Sequence, residues 1–598
     1  MEKKRCEIAN AFKWNLKDMI KDSEEYERLC TEINMLADKI VAMKGNITKN
    51  SDNLLKYLET SSRLDELLEK VYVYSYLFHY EDMSNEIGIN YKERAERLVE
   101  SVNAKTYFTS SELLSIPYEK VLEFVKENKE LKKYSFLLEK IFRYQKYTLS
   151  EKEEKIITLA TNSFGTPHDA FSCLDNVDID LGFIKDESNK KVKLTNSNYI
   201  KFMSSDNRNV RKQAFKNMYA FFAKFINTIS ELYKGKIKEN FFISNAKGFN
   251  SPLEKSLYSD NINVDVYDNF INEIHHYLPL MYRYIKVRNK ALGIKSHMYD
   301  IYVDLGKNSN SELKYDDGIK IVKDALKPLG DKYIEDLNHA FTDGWIDVYP
   351  NKYKRSGAYQ WGCYGVHPYV SLNYENNNDS VSTLAHELGH AMHTFYSNES
   401  QSYNDANYPI FLAEIASTVN EVLVDDYFYK NAKSDEEKIL YLSSFLDKVR
   451  TTIFRQTMFA EFEKIIHEKY QENVPITVNL LCDTYYDLNK LYFGKNIVVD
   501  DAIKYEWARI PHFYTSFYVY KYATGLIAAL SIASDIINNE NDMKSKYMEF
   551  LKSGASDYPL NILRKTGVDI TDKKTIKKAF TMFEEKLKLL EELVDKKV

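Results

Sequence analysis

Two histidines one helical turn apart flank a glutamate in the second half of the chain: His386, Glu387 and His390 form an HExxH motif. Residues i and i+4 of a helix lie on the same face, so both imidazoles can bind one metal ion at about 2.0–2.1 Å. Glu387 is rotated from His386 by about 100° around the helix. Its carboxylate can therefore stand beside the ion and take a proton from the zinc-bound water. The motif predicts a hydrolytic site with one zinc ion per chain.

The residues around the motif are uncharged, as a buried active-site helix requires, because charged side chains are costly to bury. They are Thr383, Leu384, Ala385, Leu388, Gly389, Ala391 and Met392. Asp379 or Ser380 offers an N-cap for this helix. The competing interpretation is a surface helix with two incidental histidines, and the uncharged neighbours disfavour it.

A catalytic zinc site needs a third protein ligand and one open position. His393 is poorly placed, because it lies about 10.5 Å along the helix axis from His386. Glu414 follows His390 by 24 residues, which leaves room for the helix to end and a second helix to return. Glu421, two turns further on, is the alternative ligand, or it accepts a hydrogen bond from a ligand imidazole.

Small and apolar residues surround Glu414. Ala413 and Ala416 would let this second helix approach the first one closely. Phe411, Leu412 and Ile415 argue against an ordinary exposed carboxylate at this position. We therefore expect Glu414 rather than Glu421 to complete the metal site.

Hydrolysis of an amide creates a tetrahedral oxyanion, which protein donors help to stabilise. Residues 507–525 offer such donors, namely His512 and the tyrosines Tyr514, Tyr518, Tyr520 and Tyr522. The competing interpretation is a buried aromatic helix whose hydroxyl groups are merely hydrogen-bonded.

The strand-like run 366–374 precedes the motif directly. An edge strand at this place could pair its free backbone groups with an extended peptide. Gly357, Gly362 and Gly365 would keep the preceding loop open or mobile. A purely structural hairpin is the alternative.

The bulk composition narrows the class of protein. A chain of 598 residues exceeds one ordinary core, and few glycines (19) and prolines (11) favour long helices. The net charge of −6 gives no sign of a nucleic-acid or acidic-membrane partner. Five scattered cysteines are typical of a reducing compartment. There is no signal-peptide pattern, and the longest apolar stretch, 525–533, is too short to span a bilayer. We expect a soluble, cytoplasmic protein.

Amphipathic patterns predict successive helices in the first quarter of the chain, at 23–43, 51–80 and 87–107. Residues 174–198 alternate apolar and polar side chains around a polar turn, which indicates a hairpin or loop. Helices resume at 206–245. We place a domain boundary after residue 190, between an N-terminal helical region (1–190) and a catalytic region (191–598).

Four segments together resemble oligoendopeptidase F, of the thimet oligopeptidase-like M3 metallopeptidases: 357–374, 386–393, 413–421 and 510–525. The likeness covers nearly the whole chain. It implies a mainly α fold, with two helical lobes around a deep substrate channel and a small β-sheet beside the zinc helix.

The same resemblance implies roles for individual residues. It implies zinc on His386, His390 and Glu414, with Glu387 as general base. It also implies that His512 and a following tyrosine bind the oxyanion, with Tyr520 preferred and Tyr518 next.

These observations predict a zinc-dependent endopeptidase that hydrolyses internal bonds of short, unstructured oligopeptides. A helical zinc carboxypeptidase is one alternative, and cleavage of peptides with blocked termini separates the two. A catalytically silent peptide-binding scaffold is another, and the absence of stoichiometric zinc would favour it.

Overall fold

The computed structural model describes residues 3–306, 312–540 and 542–597. The chain divides into two compact units that alternate along the sequence. The first comprises Met1–Thr148, Ser311–Val424 and Asp535–Val568, and the second comprises Leu149–Asn310, Asp425–Ser534 and Asp569–Val598. The predicted boundary at residue 190 does not coincide with a boundary between these units, because each unit gathers distant segments. The division into 1–190 and 191–598 stays a prediction.

Helices dominate the first unit, as the scarcity of glycine and proline predicts. The three helices predicted before residue 110 are confirmed to within two residues at each end. The helices that lie in this unit are Ser23–Ala42, Ser51–Glu81, Glu86–Thr106, Thr109–Leu113, Tyr118–Glu127, Ser135–Arg143, Tyr315–Leu326, Asp331–Thr342, Asn378–Ser400, Tyr403–Ala406, Met543–Lys552 and Pro559–Lys565. Helix Ile410–Lys430 begins here and ends in the second unit.

The second unit is also mainly helical. Its helices are Glu151–Phe164, Thr166–Asn176, Asn196–Met203, Arg208–Lys247, Pro252–Tyr258, Val264–His276, Leu278–Leu292, Asp435–Val449, Arg455–Gln471, Val478–Phe493 and Lys573–Lys597. Helix Tyr520–Asn538 begins in this unit and ends in the first. Strands β1 (Phe183–Lys185) and β2 (Lys191–Lys193) pair antiparallel and confirm the predicted hairpin.

The mainly α fold class is confirmed, whereas two lobes around a deep channel stay a prediction. Among the described residues, no helix is both long and apolar enough to cross a membrane.

The HExxH helix (Asn378–Ser400) starts at an N-cap that the sequence did not single out. The side chain of Asn377 accepts a hydrogen bond from the backbone N–H of Ser380 at 2.8 Å. The predicted caps Asp379 and Ser380 are therefore wrong, because both lie one or more residues inside the helix. This helix packs against helices Tyr315–Leu326 and Met543–Lys552.

A three-stranded sheet lies beside the HExxH helix and confirms the predicted small sheet. Its strands are β3 (Ile346–Asp347), β4 (Tyr359–Trp361) and β5 (Tyr369–Ser371), in the order β3-β5-β4. Strand β5 pairs parallel with β3 and antiparallel with β4, and both β4 and β5 contact the HExxH helix.

The predicted strand 366–374 is not an edge strand. Its regular part, β5, is the central strand. The backbone N–H of Leu372 donates to the carbonyl of Asp347 in β3, and that of Val370 donates to the carbonyl of Trp345 just before β3, both at 2.8 Å. The neighbouring β4 is the edge strand that lines a cavity beside the HExxH helix, and β3 is the opposite edge. Val370 points its backbone groups at β3, so Gln360, which stands opposite Val370, points its own away from β5. The backbone groups of β4 that point away from β5 therefore belong to Gln360.

Candidate metal centre

Three side chains of the first unit converge as the sequence predicts. Nε2 of His386 lies 3.2 Å from Nε2 of His390 and 3.9 Å from a carboxylate oxygen of Glu414. One donor atom from each of the three residues lies within 4.8 Å of the other two. Ligand atoms about 2.0–2.1 Å from a tetrahedral ion stand about 3.3–3.4 Å apart. The spacing of these donors therefore suits a zinc ion.

The hydrogen bonds of the two imidazoles leave their lone pairs directed at the point between His386, His390 and Glu414. Nδ1 of His386 contacts the carboxylate of Glu421, and the His390 ring donates to the carbonyl of Ala413. Each ring thereby keeps its proton away from the facing Nε2 atoms. Two facing lone pairs repel each other unless a cation lies between them and a nearby carboxylate. The donor set therefore fits a divalent metal ion.

Glu421 is a partner of His386 rather than a member of the converging group. Burial alone would lower the pKa of His386, but the Glu421 carboxylate outweighs this and raises it above the usual value. For His390, which has no such carboxylate contact, burial lowers the pKa to about 3. The alternative in which Glu421 accepts a hydrogen bond from a ligand imidazole matches this geometry.

Glu387 is buried next to the converging donors, with 6% of its surface exposed. Burial raises the pKa of its carboxyl group to about 7, while the backbone N–H of Gln360 opposes this rise by donating to it. A carboxyl group with this pKa can both accept and return a proton near neutral pH. A bound cation would lower the pKa further towards its usual range.

The Glu414 helix (Ile410–Lys430) approaches the HExxH helix at a glycine. A Cβ atom added to Gly389 would lie 2.5 Å from the Cα of Ser417 and 2.7 Å from the carbonyl oxygen of Ala416. We expected Ala413 and Ala416 to permit this approach. The closest contact instead uses the missing side chain of Gly389, which lets the two ligand-bearing helices pack backbone to backbone.

A cavity of about 630 Å³ opens beside the converging donors. It is lined by the edge strand β4, by Tyr408 and, further away in sequence, by Glu69. The Tyr408 hydroxyl lies 2.8 Å from Oγ1 of Thr394 and donates to the carbonyl of His390 at 3.3 Å. The cavity is large enough for part of an extended peptide.

His393 does not belong to the metal centre, as its spacing predicts. Its ring is fully buried and stacks on Tyr408 with 3.6 Å between ring centroids. Burial lowers the pKa of His393 to about 3. This histidine therefore packs as a neutral ring behind the ligand-bearing face of the helix.

The predicted oxyanion donors lie in the second unit. His512 is partly exposed, with its Nε2 3.4 Å from the Tyr522 hydroxyl and its ring stacked on Tyr518 at 6.4 Å. Tyr520 is only 1% exposed and packs edge to face on Tyr267. Tyr514 is buried as well, stacked on Phe171. The role of Tyr520 stays a prediction, and its burial favours Tyr518 or Tyr522 as the partner of His512.

A comparison with protein-family models supplies the affiliation of this chain. The model described as peptidase family M3 matches residues 201–582, and the model described as oligopeptidase F matches residues 112–180. The chain belongs to peptidase family M3. It is a metallopeptidase of the oligoendopeptidase F group, and its resemblance to that family is confirmed.

Relatives of this M3 peptidase match it from end to end. Oligopeptidase PepF of Bacillus subtilis is 38% identical over 99% of this chain and 88% of that protein. Group B oligopeptidase PepB of Streptococcus agalactiae is 37% identical over all of both chains.

Solved structures share the fold of this M3 peptidase over the same extent. A crystal structure from Chlamydophila abortus superposes with a TM-score of 0.93, at 36% identity over 99% of this chain and 100% of that one. Oligoendopeptidase-F of Enterococcus faecium superposes with a TM-score of 0.74, at 30% identity over 96% and 98% of the two chains.

Several residues at the M3 metal centre escaped sequence reasoning. Gln360 and Tyr408 have no distinctive spacing from the motif, and Glu69 lies more than 300 residues before it. A signal for Gln360 existed in the segment 357–374, but the sequence alone did not identify which part of it forms the edge. No local pattern could have identified Glu69, because only the fold of the first unit brings it to the cavity.

Proposed function

We propose that this M3 peptidase is a zinc-dependent endopeptidase that hydrolyses internal bonds of short, unstructured oligopeptides. The observation that carries the proposal is the convergence of His386, His390 and Glu414, whose donor atoms lie within 4.8 Å of one another. These three residues would hold the ion. When bound, zinc supplies Lewis-acid polarisation of the scissile carbonyl and lowers the pKa of water.

Glu387 acts as the general base. Its carboxylate takes a proton from the attacking water and later gives that proton to the departing amine. Burial supports this role, because it raises the pKa of Glu387 to about 7 in the absence of a cation. The hydrogen bond from the Gln360 N–H supports it further by fixing the orientation of the carboxylate.

The edge strand β4 binds the substrate backbone. An extended peptide can add to the sheet by pairing with the backbone carbonyl of Gln360, while the N–H of the same residue is directed at Glu387. Main-chain pairing makes no demand on substrate side chains, so it suits an enzyme that cleaves many peptide sequences. Folded proteins present few free extended segments, so short unstructured peptides are the substrates that such an edge favours.

His512 and a neighbouring tyrosine donate hydrogen bonds to the oxyanion. The contact of His512 with Tyr522 and its stacking on Tyr518 support this role, because they group one imidazole and two phenol hydroxyls that can donate hydrogen bonds. The burial of Tyr520 makes it the less favoured of the three tyrosines.

The decisive experiment compares wild-type protein with Glu387→Gln on a fluorogenic peptide whose two termini are blocked. We expect one zinc per chain in both proteins, by elemental analysis, and a fall in kcat/KM of at least about 100-fold in the variant. Glu399→Gln is the matched control, because Glu399 lies exposed near the end of the same helix.

Three outcomes would count against the proposal. If Glu387→Gln cleaved peptides at the wild-type rate, Glu387 would not be the general base. Cleavage confined to peptides with a free carboxyl terminus would indicate a carboxypeptidase. A purified wild-type protein that neither binds zinc nor cleaves peptides would indicate a peptide-binding scaffold.

A further inference from the structure

The cavity beside the metal centre has a second carboxylate that the proposed chemistry does not use. Glu69 lies on helix Ser51–Glu81 and lines the same cavity as His386, Glu387 and Glu414. Its side chain is partly exposed, so the carboxylate is accessible from the cavity while the helix body is anchored in the core of the first unit. The cavity therefore has one acidic group away from the metal ligands.

Among the residues that the structure describes, no cation pairs with Glu69. Among the described residues that line the cavity there is no lysine or arginine. In the described part of the chain Glu69 forms no ion pair. By contrast Glu66, three residues earlier on the same helix, pairs with Arg63 at 3.0 Å. Burial raises the pKa of Glu69 to about 7, and the backbone N–H of Tyr364 is the group that opposes this rise. A carboxylate in this setting gains stability when a cation enters the cavity.

Two tyrosine rings stand at the same end of the cavity. Tyr364 and Tyr403 both line it and meet edge to face, with 5.8 Å between centroids. Burial raises the pKa of Tyr403 first, and the negative charges of Glu69, Asp65 and Glu66 raise it further. A carboxylate next to aromatic rings is a combination that binds alkylammonium and guanidinium groups.

The charges of the metal centre do not change this balance. On the proposed function, the two positive charges of a zinc ion face three carboxylates, those of Glu387, Glu414 and Glu421, so the metal centre leaves no positive charge for Glu69. Glu69 then remains as an unmatched negative charge within the cavity. A neutral or anionic substrate group would leave it unmatched, whereas a cationic group would pair with it.

We propose that Glu69 forms a subsite for a positively charged group of the peptide substrate. The group is either the side chain of a lysine or arginine or the free α-amino terminus, since both present the same chemistry. This inference rests on the proposed function, because it assigns substrate preference to the same cavity.

The test compares matched peptides on wild-type protein, Glu69→Gln and Glu59→Gln. One set carries lysine or norleucine at each position in turn, with both termini blocked. The other set is neutral in its side chains and has either a free or an acetylated amino terminus. Glu59 is the matched control, because it lies exposed on the same helix, pairs with Lys133 at 3.0 Å and does not line the cavity.

We expect wild-type protein and Glu59→Gln to favour the cationic member of a pair in one of the two sets by about tenfold in kcat/KM. Glu69→Gln should remove most of that ratio. Loss in the lysine set identifies a side-chain subsite, and loss in the free-terminus set identifies a subsite for the α-amino group. A ratio that is unchanged in Glu69→Gln, or no cationic preference in wild-type protein, overturns the inference.

Two further measurements keep this inference separate from the proposed function. Peptide affinities can be measured by fluorescence anisotropy with Glu387→Gln, alone and combined with Glu69→Gln, so that no turnover is needed. The cationic preference of wild-type protein should also shrink as salt rises from about 0.05 M to about 0.5 M, because salt screens the attraction. If Glu69→Gln fails to fold, a preference that does not respond to salt overturns the inference on wild-type protein alone. Failure of the proposed function would appear instead as no cleavage of any peptide.

Discussion

The carboxylate of Glu421 contacts Nδ1 of His386, on the side of the ring opposite the Nε2 atom that faces His390. This contact holds the imidazole in the tautomer whose Nε2 lone pair is free. It also fixes the plane of the ring. The geometry of the centre therefore depends on a glutamate that would not itself bind the ion.

Replacing Glu421 by glutamine should weaken zinc binding without abolishing it. We expect the zinc Kd to rise about 10- to 100-fold, because the neutral amide orients His386 less strongly. Competition with a chromophoric chelator measures this change. Glu414→Gln should lose more affinity than Glu421→Gln, and Glu399→Gln should match wild-type protein. Equal losses at Glu414 and Glu421 would mean that the two residues have been assigned to the wrong roles.

An alanine at position 389 should force the two ligand-bearing helices apart. The added Cβ would meet the backbone of Ser417 at 2.5 Å, and neither backbone can move without disturbing its helix. We expect Gly389→Ala to lower the free energy of unfolding by about 1–3 kcal/mol. Denaturant unfolding of the metal-free protein measures it.

The control for Gly389→Ala is Ser400→Ala, an exposed position near the end of the same helix. It should leave the free energy of unfolding nearly unchanged. A Gly389→Ala protein as stable as wild type, with wild-type zinc affinity, would show that the close approach of the helices is not needed.

The three tyrosines after His512 can be separated by removing one hydroxyl at a time. We expect Tyr518→Phe or Tyr522→Phe to lower kcat by about 100-fold, because each ring stands against His512. Tyr520→Phe should change kcat much less, because its hydroxyl is buried against Tyr267. Steady-state kinetics at saturating peptide decide this. A loss confined to Tyr520→Phe would instead favour the choice made from the sequence.

Glu463 should make stability depend on pH. It is fully buried on helix Arg455–Gln471, and its Oε1 accepts a hydrogen bond from the backbone N–H of Phe517 at 3.1 Å. Burial raises its pKa well above the usual value. The folded protein therefore keeps a proton that the unfolded chain releases. The free energy of unfolding should fall as pH rises above the ordinary carboxyl pKa, by up to about 1.4 kcal/mol per pH unit.

Glu463→Gln should remove this contribution. Glutamine is neutral at every pH and can still accept the Phe517 hydrogen bond, so its advantage over wild type should grow between about pH 5 and pH 7. Denaturant unfolding at several pH values measures the difference. Glu468→Gln, exposed on the same helix, should run parallel to wild type. A constant difference between Glu463→Gln and wild type across this range would contradict the buried, protonated state.

The sequence alone predicted the helical character of the protein and the three side chains that converge at the candidate metal centre. His386 and His390 are four residues apart, so local helix geometry brings both imidazoles to one face whatever the rest of the fold does. The pattern of apolar residues likewise predicted the early helices closely. Glu414 was within reach of sequence reasoning, because only residues 401–409, which include the short helix Tyr403–Ala406, separate its helix from the HExxH helix.

Only the tertiary structure decided which distant groups complete the centre. It made β4 rather than the 366–374 segment the sheet edge, since strand order depends on which backbones pair and not on local propensity. It placed Gly389 where two helices touch, and it brought Glu69 to the cavity from more than 300 residues away. Such contacts arise from the packing of whole elements, which short-range spacing does not encode.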